Sequence, residues 1–207
     1  MKKSLLMMAM LAFLAYQANA QNHNRFQLGL KAGANYANVY DTEGEAFKAN
    51  AKPGLAAGVF TSIPVLNFIS IQPEILFSQK GFKASGRLLG NSYSLERTSN
   101  SLDVPLLVAF KPFRAFTLLA GPQYSYLLSQ KDVFENGATT IEQEQEFLND
   151  DYRKYNLAFV GGADVAVKHL VIGARAGWDL IKNNGNGNAA TPRYKNAWFQ
   201  ATVGYMF

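Results

Sequence analysis

Cysteine is absent from the 207-residue chain, and histidine occurs only at positions 23 and 169. Thiolate and imidazole are the main protein ligands of transition metals, so the sequence offers no ligand set for such a site. A chain without thiols also suits an oxidising compartment, where a free thiol would be reactive. We therefore expect neither a metal ion nor another cofactor.

Long hydrophobic runs are also absent, apart from one at the N-terminus. There two lysines precede an apolar core over residues 5–16, and the small residues ANA follow at 18–20. This order is typical of a secretory signal peptide, and the core is too short for a membrane-spanning helix. We expect cleavage after residue 20, which leaves one domain over residues 21–207. No cysteine follows this site, which argues against a lipoprotein.

Strong charge of either sign is missing as well. The formal net charge is +5, and it falls to +3 once Lys2 and Lys3 are removed with the signal peptide. Domains that bind nucleic acid usually carry a larger and more clustered positive charge. The sequence therefore gives no reason to expect a nucleic-acid partner.

The mature chain does contain a regular alternation of apolar and small polar residues. The stretch RFQLGLKAGANY, for example, has an apolar residue at every second position from Phe26 to Tyr36. This period is that of a β-strand with two different faces. Segments of about ten residues are long enough to cross a bilayer as tilted strands. Eight such segments are predicted, at 26–36, 55–63, 69–78, 101–110, 116–126, 157–165, 170–179 and 199–207.

Short and long connections alternate between these segments. Those after segments two, four and six are short, at 64–68, 111–115 and 166–169, whereas those after segments one, three, five and seven are long. Outer-membrane barrels have this asymmetry between periplasmic turns and outer loops. The predicted fold is therefore all-β: an eight-stranded antiparallel up-and-down transmembrane β-barrel with short periplasmic turns and long extracellular loops.

The composition of the two faces distinguishes a membrane barrel from a soluble one. A soluble barrel would carry many charged residues on its outer, polar face. Here the polar face consists mostly of Gly, Ala, Ser, Thr and Gln, and the apolar face carries no charge. Small residues fit the crowded lumen of an eight-stranded barrel, so we expect the apolar face to meet lipid.

Aromatic residues cluster at the segment ends, as in the two interfacial girdles of a membrane barrel. Those toward the long loops are Tyr36, Phe77, Phe82, Tyr124, Tyr126, Tyr155, Trp178 and Trp198, and those toward the turns are Phe26, Phe68, Phe110, Phe116, Tyr205 and Phe207. Pro73, Pro105 and Pro122 lie inside predicted strands, where proline removes a ladder hydrogen bond. We expect a local bulge at each proline.

Several of these stretches resemble the PorT-like family of small outer-membrane β-barrel proteins, and the resemblance covers essentially the whole mature chain. They are GLKAGANYANV, SIQPEILFSQKGF, SLDVPLLVAF, GPQYSYLLS and GARAGWDL. The resemblance implies an eight-stranded outer-membrane barrel and no agreed catalytic chemistry. It also implies that Tyr205 and Phe207 belong to a C-terminal signal that the barrel-assembly machinery recognises.

Charged residues on the polar face would lie inside the barrel. An unpaired charge there would cost several kcal/mol, so pairing is nearly obligatory. We predict an ionic network of Lys31, Glu74, Asp103 and Arg175 that fills the lumen. A gated ion path is the alternative, but an aqueous channel needs a wider barrel than eight strands form.

The two histidines are predicted on the periplasmic side, far from the leaflet where a serine–histidine lipid hydrolase in a barrel would act. The candidate binding residues lie in the long loops instead. We predict that Lys83, Arg87 and Arg193 contact phosphates of outer-membrane lipid, such as those of lipopolysaccharide. The alternative is that these loops are simply solvated.

Together these patterns predict an integral outer-membrane protein of a Gram-negative-type bacterium, with a structural or surface-recognition role and no catalysis. Its expected partners are outer-membrane lipid, the barrel-assembly machinery and an unidentified protein at the extracellular loops. Three alternatives stay open: a periplasmic soluble barrel that binds an apolar ligand, a narrow pore, and a lipid-modifying barrel.

Overall fold

The computed structural model describes residues 26–40, 48–88, 91–113, 115–136, 139–145, 154–183 and 194–207. The predicted signal peptide, His23 and Arg193 lie outside these ranges, and so does the side chain of Arg87. Among the described residues, no helix is long and apolar enough to cross a membrane.

The described part of the chain forms nine strands. Their bounds are β1 Gln27–Tyr40, β2 Lys48–Leu66, β3 Ile69–Leu88, β4 Asn91–Phe113, β5 Phe116–Asn136, β6 Thr139–Gln145, β7 Tyr155–Val167, β8 Leu170–Asp179 and β9 Lys195–Met206.

Eight of these strands close into a ring, and every pairing is antiparallel. Neighbours along the chain pair from β1 to β5, β5 then pairs with β7, and β7, β8 and β9 follow in order. Pairing of β1 with β9 closes the ring, while β6 pairs only with β5 and stands outside it. The predicted eight-stranded all-β barrel is confirmed.

One end of the barrel has tight turns. Two residues each separate β2 from β3, β4 from β5, and β7 from β8. In the last of these turns Lys168 has a φ of 56°, in the left-handed region where glycine or asparagine is usual. We refer to this end as the short-turn end and to the opposite one as the long-loop end.

At the long-loop end, three strands run ten residues farther than the alternation predicted. β3, β4 and β5 extend to Leu88, Asn91 and Asn136, so most of the predicted second long loop is a hairpin. β6, which lies in the predicted third loop, was not predicted at all. In this extension of β3 the outer face carries polar residues such as Lys83 and Ser85, whereas Phe82 and Ala84 are buried inside, so the apolar-outside alternation of the lower strand is inverted.

The apolar face points away from the lumen. Leu55 is 65% exposed and Val203 is 55% exposed, whereas the intervening small and polar residues are buried. A soluble barrel would bury these apolar side chains. The soluble alternative is therefore wrong.

Most of the predicted girdle aromatics are exposed on the outer face, Phe26 and Phe116 are partly buried, and two are fully buried. Phe82 and Trp198 are buried inside the barrel. Phe82 lies two residues from Lys80, and Trp198 lies two residues from Gln200; both of these neighbours face the lumen. Residues two apart on a strand lie on the same face, so the period of two already placed both rings inside. Their position near the strand ends led to the wrong assignment.

The three prolines cause no bulge. Strand pairing keeps the same register on both sides of Pro73, Pro105 and Pro122, because a missing N–H removes a bond without requiring an extra residue. The bulge prediction is wrong there. Register shifts occur elsewhere, between Ala51 and Ala56 for example, where Pro53 lies.

Candidate functional site in the barrel lumen and at its two ends

A group of four charged side chains fills the half of the lumen nearer the short turns. Glu74 accepts hydrogen bonds from Lys31 Nζ and from Arg175 Nη1, the latter at 2.7 Å. Arg175 Nη2 also lies 3.2 Å from Asp164 Oδ2. All four side chains are buried. Two acids thus balance two bases, as burial requires. We call these residues the ionic quartet.

Asp103 does not belong to this group, although the sequence placed it there. Its Oδ2 lies 2.7 Å from Lys80 Nζ, and its Oδ1 accepts a hydrogen bond from Ser101 Oγ at 2.9 Å. Asp103 lies on β4 nearer the long-loop end than the quartet does. Lys80 lies beyond the predicted segment 69–78, because the extension of β3 was not recognised. The quartet contains Asp164 instead, which lies on the polar face of the predicted segment 157–165 and is buried.

Trp198 lies between these two groups and narrows the lumen. Its ring centroid is 4.0 Å from Lys80 Nζ, close enough for a cation–π interaction. Buried apolar side chains surround the indole. Members of this cluster include Leu107, Leu119, Ala158 and Val160. The lumen is therefore filled by side chains at this level.

A carboxylate with several donors lies above Trp198. Asp179 Oδ2 accepts hydrogen bonds from Asn156 Nδ2 at 2.8 Å, and from the backbone N and Nδ2 of Asn196 at 3.0 and 2.7 Å. A small polar cavity of about 60 Å³ adjoins this group and Lys80. Asp179 ends the predicted segment 170–179, but its partners Asn156 and Asn196 lie outside the predicted segments, so the sequence pattern did not reveal this group.

A polar cap covers this cavity toward the long-loop end. Arg97 forms a bidentate pair with Asp132, with Nε to Oδ1 at 2.7 Å and Nη2 to Oδ2 at 2.5 Å. Arg97 Nη1 also donates to the Tyr194 hydroxyl at 2.6 Å. The ring of Tyr194 packs edge-on against Phe82, with the centroids 5.2 Å apart. Bidentate arginine pairs hold their partners in a defined orientation.

On the outer face of the long-loop end, two lysines hold one glutamate. Glu96 accepts from Lys52 Nζ at 2.7 Å and from Lys83 Nζ at 2.9 Å. These hydrogen bonds hold the pKa of Glu96 below its ordinary value of 4.5. Lys83, a predicted lipid contact, is 52% exposed despite this pairing.

The short-turn end opens into a larger cavity, of about 290 Å³. Lys111, Lys168 and Asp164 line it together with hydroxyl, amide and apolar side chains. On the nearby outer face, Tyr205 stacks on His169 with the ring centroids 5.3 Å apart and packs against Phe207 at 5.4 Å. These contacts order the last residues of the chain around the final turn.

Among the residues that the structure describes, no three or more His, Cys, Asp and Glu side chains come together in a group that could hold a metal ion. His169 is exposed at the short-turn end, where its Nδ1 lies 2.8 Å from the carbonyl oxygen of Met206.

A closed ring of antiparallel strands that is apolar outside and carries its charges within defines a transmembrane β-barrel. The family model described as "Outer membrane protein beta-barrel domain" matches residues 17–183, and the chain belongs to this family. The protein is therefore an outer-membrane β-barrel protein. No curated protein sequence matches the chain.

Similar solved structures include Ail, the attachment invasion locus protein of Yersinia pestis. It shares 14% identity over 87% of this chain and 98% of its own, with a TM-score of 0.48. Neisserial surface protein A has 11% identity over 87% of this chain and 97% of its own, with a TM-score of 0.47. OprG of Pseudomonas aeruginosa has 14% identity over 91% of this chain and 99% of its own, with a TM-score of 0.45.

Proposed function

We propose that this protein is a closed outer-membrane barrel that acts in structure or surface recognition and not in catalysis. In this proposal the short turns face the periplasm and the long-loop end faces the exterior. The observation that carries it is the extension of β3, β4 and β5 beyond the exposed apolar band, which presents a polar surface outside the bilayer. We take the orientation from bacterial outer-membrane barrels in general, whose short turns lie in the periplasm and whose longer loops lie outside the cell.

A filled lumen supports a role at the surface over a role as a pore. The ionic quartet, Trp198 and the pair of Lys80 with Asp103 occupy successive levels of the barrel. Eight strands leave just enough room for side chains. Ions would have to displace paired, buried charges to pass.

Recognition of lipid phosphate is the specific activity that we propose for the long-loop end. Lys52 and Lys83 carry two positive charges against the single negative charge of Glu96, so this patch has a net positive charge. Lys83 is exposed enough to reach a phosphate without leaving the sheet. Arg87 and Arg193 are proposed to add to the same contact.

Lipopolysaccharide binding by the purified protein in zwitterionic detergent tests this proposal. Lys83→Gln should weaken binding several-fold, and adding Arg87→Gln and Arg193→Gln should weaken it further. Glu96→Gln should strengthen binding, because it releases both lysines without changing the backbone. Lys195→Gln, which removes the same charge from β9 and not from the Glu96 group, is the matched control. Equal binding by all variants would contradict the proposal.

Orientation is tested by labelling single cysteines, since the chain has none of its own. Ser85→Cys lies in the exposed part of β3, and Lys168→Cys lies in a tight turn. An impermeant maleimide applied to intact cells should label the first variant and should reach the second only after the outer membrane is permeabilised. The reverse result would invert the proposed topology.

Three finer features stay predictions. They are the closer relationship to PorT-like barrels, the recognition of Tyr205 and Phe207 by the barrel-assembly machinery, and a protein partner at the long loops. The exposed, mutually packed rings of Tyr205 and Phe207 are compatible with such recognition.

A further inference from the structure

The cavity at the short-turn end is separate from the lysines and glutamate at the long-loop end. Its volume of about 290 Å³ far exceeds the roughly 10–15 Å³ that one buried water requires. Lining residues include Gln27, Phe60, Ser62, Lys111 and Val171, which face inward near the ends of their strands. The cavity is therefore the mouth of the lumen, and Asp164 of the ionic quartet forms part of its lining.

Lys111 places a cation in this mouth without an acidic partner. Its Nζ donates to Ser62 Oγ at 3.1 Å, and within the described ranges no carboxylate pairs with it. The side chain is partly buried. A partly buried ammonium group gains most from a negatively charged ligand, because solvation alone satisfies it poorly.

Lys168 adds a second cation to the same cavity. It too has no carboxylate partner among the described residues. Its φ of 56° is unfavourable for lysine, whereas glycine or asparagine would fit this turn without strain. Asp164 is the acidic group of the lining, and Arg175 already binds it. The mouth therefore has a positive excess.

The remaining lining determines what kind of anion would fit. Ser62, which is buried, accepts from Lys111 and keeps its own hydroxyl proton for a ligand, and Thr117 supplies a second hydroxyl. Phe60 and Val171 form an apolar wall beside these groups. A ligand with an anionic head and a short apolar portion would satisfy both parts.

We propose that this mouth is a binding site for small organic anions, with a carboxylate or phosphate head held by Lys111 and Lys168 and an apolar portion against Phe60 and Val171. The site is independent of the lipid contacts proposed at the long-loop end. In the orientation proposed above it would open to the periplasm. The head group could belong to a free anion or to a phospholipid of the inner leaflet.

Calorimetric titration of the full protein in phosphatidylcholine nanodiscs tests the site. Hexanoate and hexyl phosphate should bind saturably. Inorganic phosphate should bind at least about tenfold more weakly than hexyl phosphate because it lacks the apolar portion, and hexanol should not bind in the same range because it lacks the charge. Equal binding of hexanol and hexanoate would overturn the role of the lysines.

Substitutions connect the binding to this cavity. Lys111→Gln should weaken hexanoate binding about tenfold or more, and Lys111→Arg should largely preserve it because the charge remains. Lys195→Gln, at the long-loop end, should leave it unchanged. Folding of each variant is checked on a gel, where a folded barrel migrates differently before and after boiling. If folded Lys111→Gln protein binds hexanoate like the wild type, the proposal fails.

The source of the head group is distinguished by the lipid. Replacing part of the phosphatidylcholine with phosphatidylglycerol should reduce the apparent affinity for hexanoate in the wild type if the lipid head group occupies the mouth. An unchanged affinity would assign the site to free anions. Both assignments, to a lipid head group or to a free anion, require that hexanoate binding depends on Lys111. If it does not, neither assignment holds.

Discussion

Trp198 occupies the space that Gly177 leaves open on the neighbouring strand. The two residues are direct cross-strand partners, and a Cβ at Gly177 would lie 2.3 Å from Cζ2 of the indole. Gly29 and Phe60 repeat the arrangement, with 2.4 Å from such a Cβ to the ring. A narrow lumen thus accepts large rings because glycines face them.

Gly177→Ala should therefore destabilise the barrel. The added methyl group forces the indole out of its rotamer, and overpacking of this kind costs about 1–3 kcal/mol. Urea unfolding in lipid vesicles measures the loss. Gly161→Ala is the control, because the nearest atom to its Cβ would be 3.8 Å away. A similar loss in both variants would attribute the effect to glycine flexibility instead of packing.

Alternation predicted the barrel well because a bilayer and a narrow lumen impose opposite demands on the two faces of every strand. β8 was predicted with its observed bounds, since it lies entirely between the two interfaces. Where β3 passes beyond the exposed apolar band, Lys83 and Ser85 are exposed while Phe82 and Ala84 are buried, so the alternation is inverted and a search for apolar residues on the outer face misses it.

The ionic quartet allows a second prediction. Glu74→Gln leaves Lys31 and Arg175 buried with one acid between them, and removal of one partner from a buried pair costs about 3–5 kcal/mol. Adding Lys31→Met should recover part of this loss, because Arg175 keeps Asp164. Unfolding free energies of the single and double variants measure both effects.

Glu96→Gln is the matched control for that experiment, since the same substitution falls on an exposed ion pair. Such pairs contribute about 0–1 kcal/mol. If Glu74→Gln cost no more than Glu96→Gln, the quartet would contribute nothing through its charges.

The composition of the quartet could not be predicted from sequence. Alternation identifies which residues face inward, and Asp103, Asp164 and Glu74 all satisfy it. Which of them meet depends on the stagger between neighbouring strands, and a residue's distance from its turn does not determine that stagger.

The pairing of Glu96 with Lys52 and Lys83 leads to a pH prediction. The pKa of Glu96 is lowered on folding, so its contribution to stability is present above the ordinary value of 4.5 and is lost as the pH falls through the lower, folded-state pKa. Carbon-13 NMR of the carboxyl group should give a midpoint below 4.5. Lys83→Gln should raise that midpoint, and an unchanged midpoint would show that the pair does not persist in solution.

The filled lumen predicts a closed barrel. Wild-type protein in a planar bilayer should give no stepwise current, because paired charges and the indole of Trp198 block the axis. Trp198→Ala removes the largest of these groups and should permit small currents while costing about 3–5 kcal/mol of stability. Stepwise currents through the wild type would support the narrow-pore alternative.

Asn35 provides the last prediction, because it compensates for the break in the ladder between β2 and β3. Its Nδ2 donates to the carbonyl oxygens of Leu55 and Gln79, at 3.3 and 3.0 Å, where the register shift interrupts strand pairing. Its Oδ1 accepts from Gln200 Nε2 at 2.9 Å. Without water nearby, a buried carbonyl that loses its donor costs about 1–3 kcal/mol. Asn35→Leu should therefore destabilise the barrel by this amount and accelerate amide exchange in β2 and β3 near the bulge. Asn38→Leu, at a partly exposed position of the same strand, is the control; equal exchange in both variants would show that the backbone satisfies the bulge by itself.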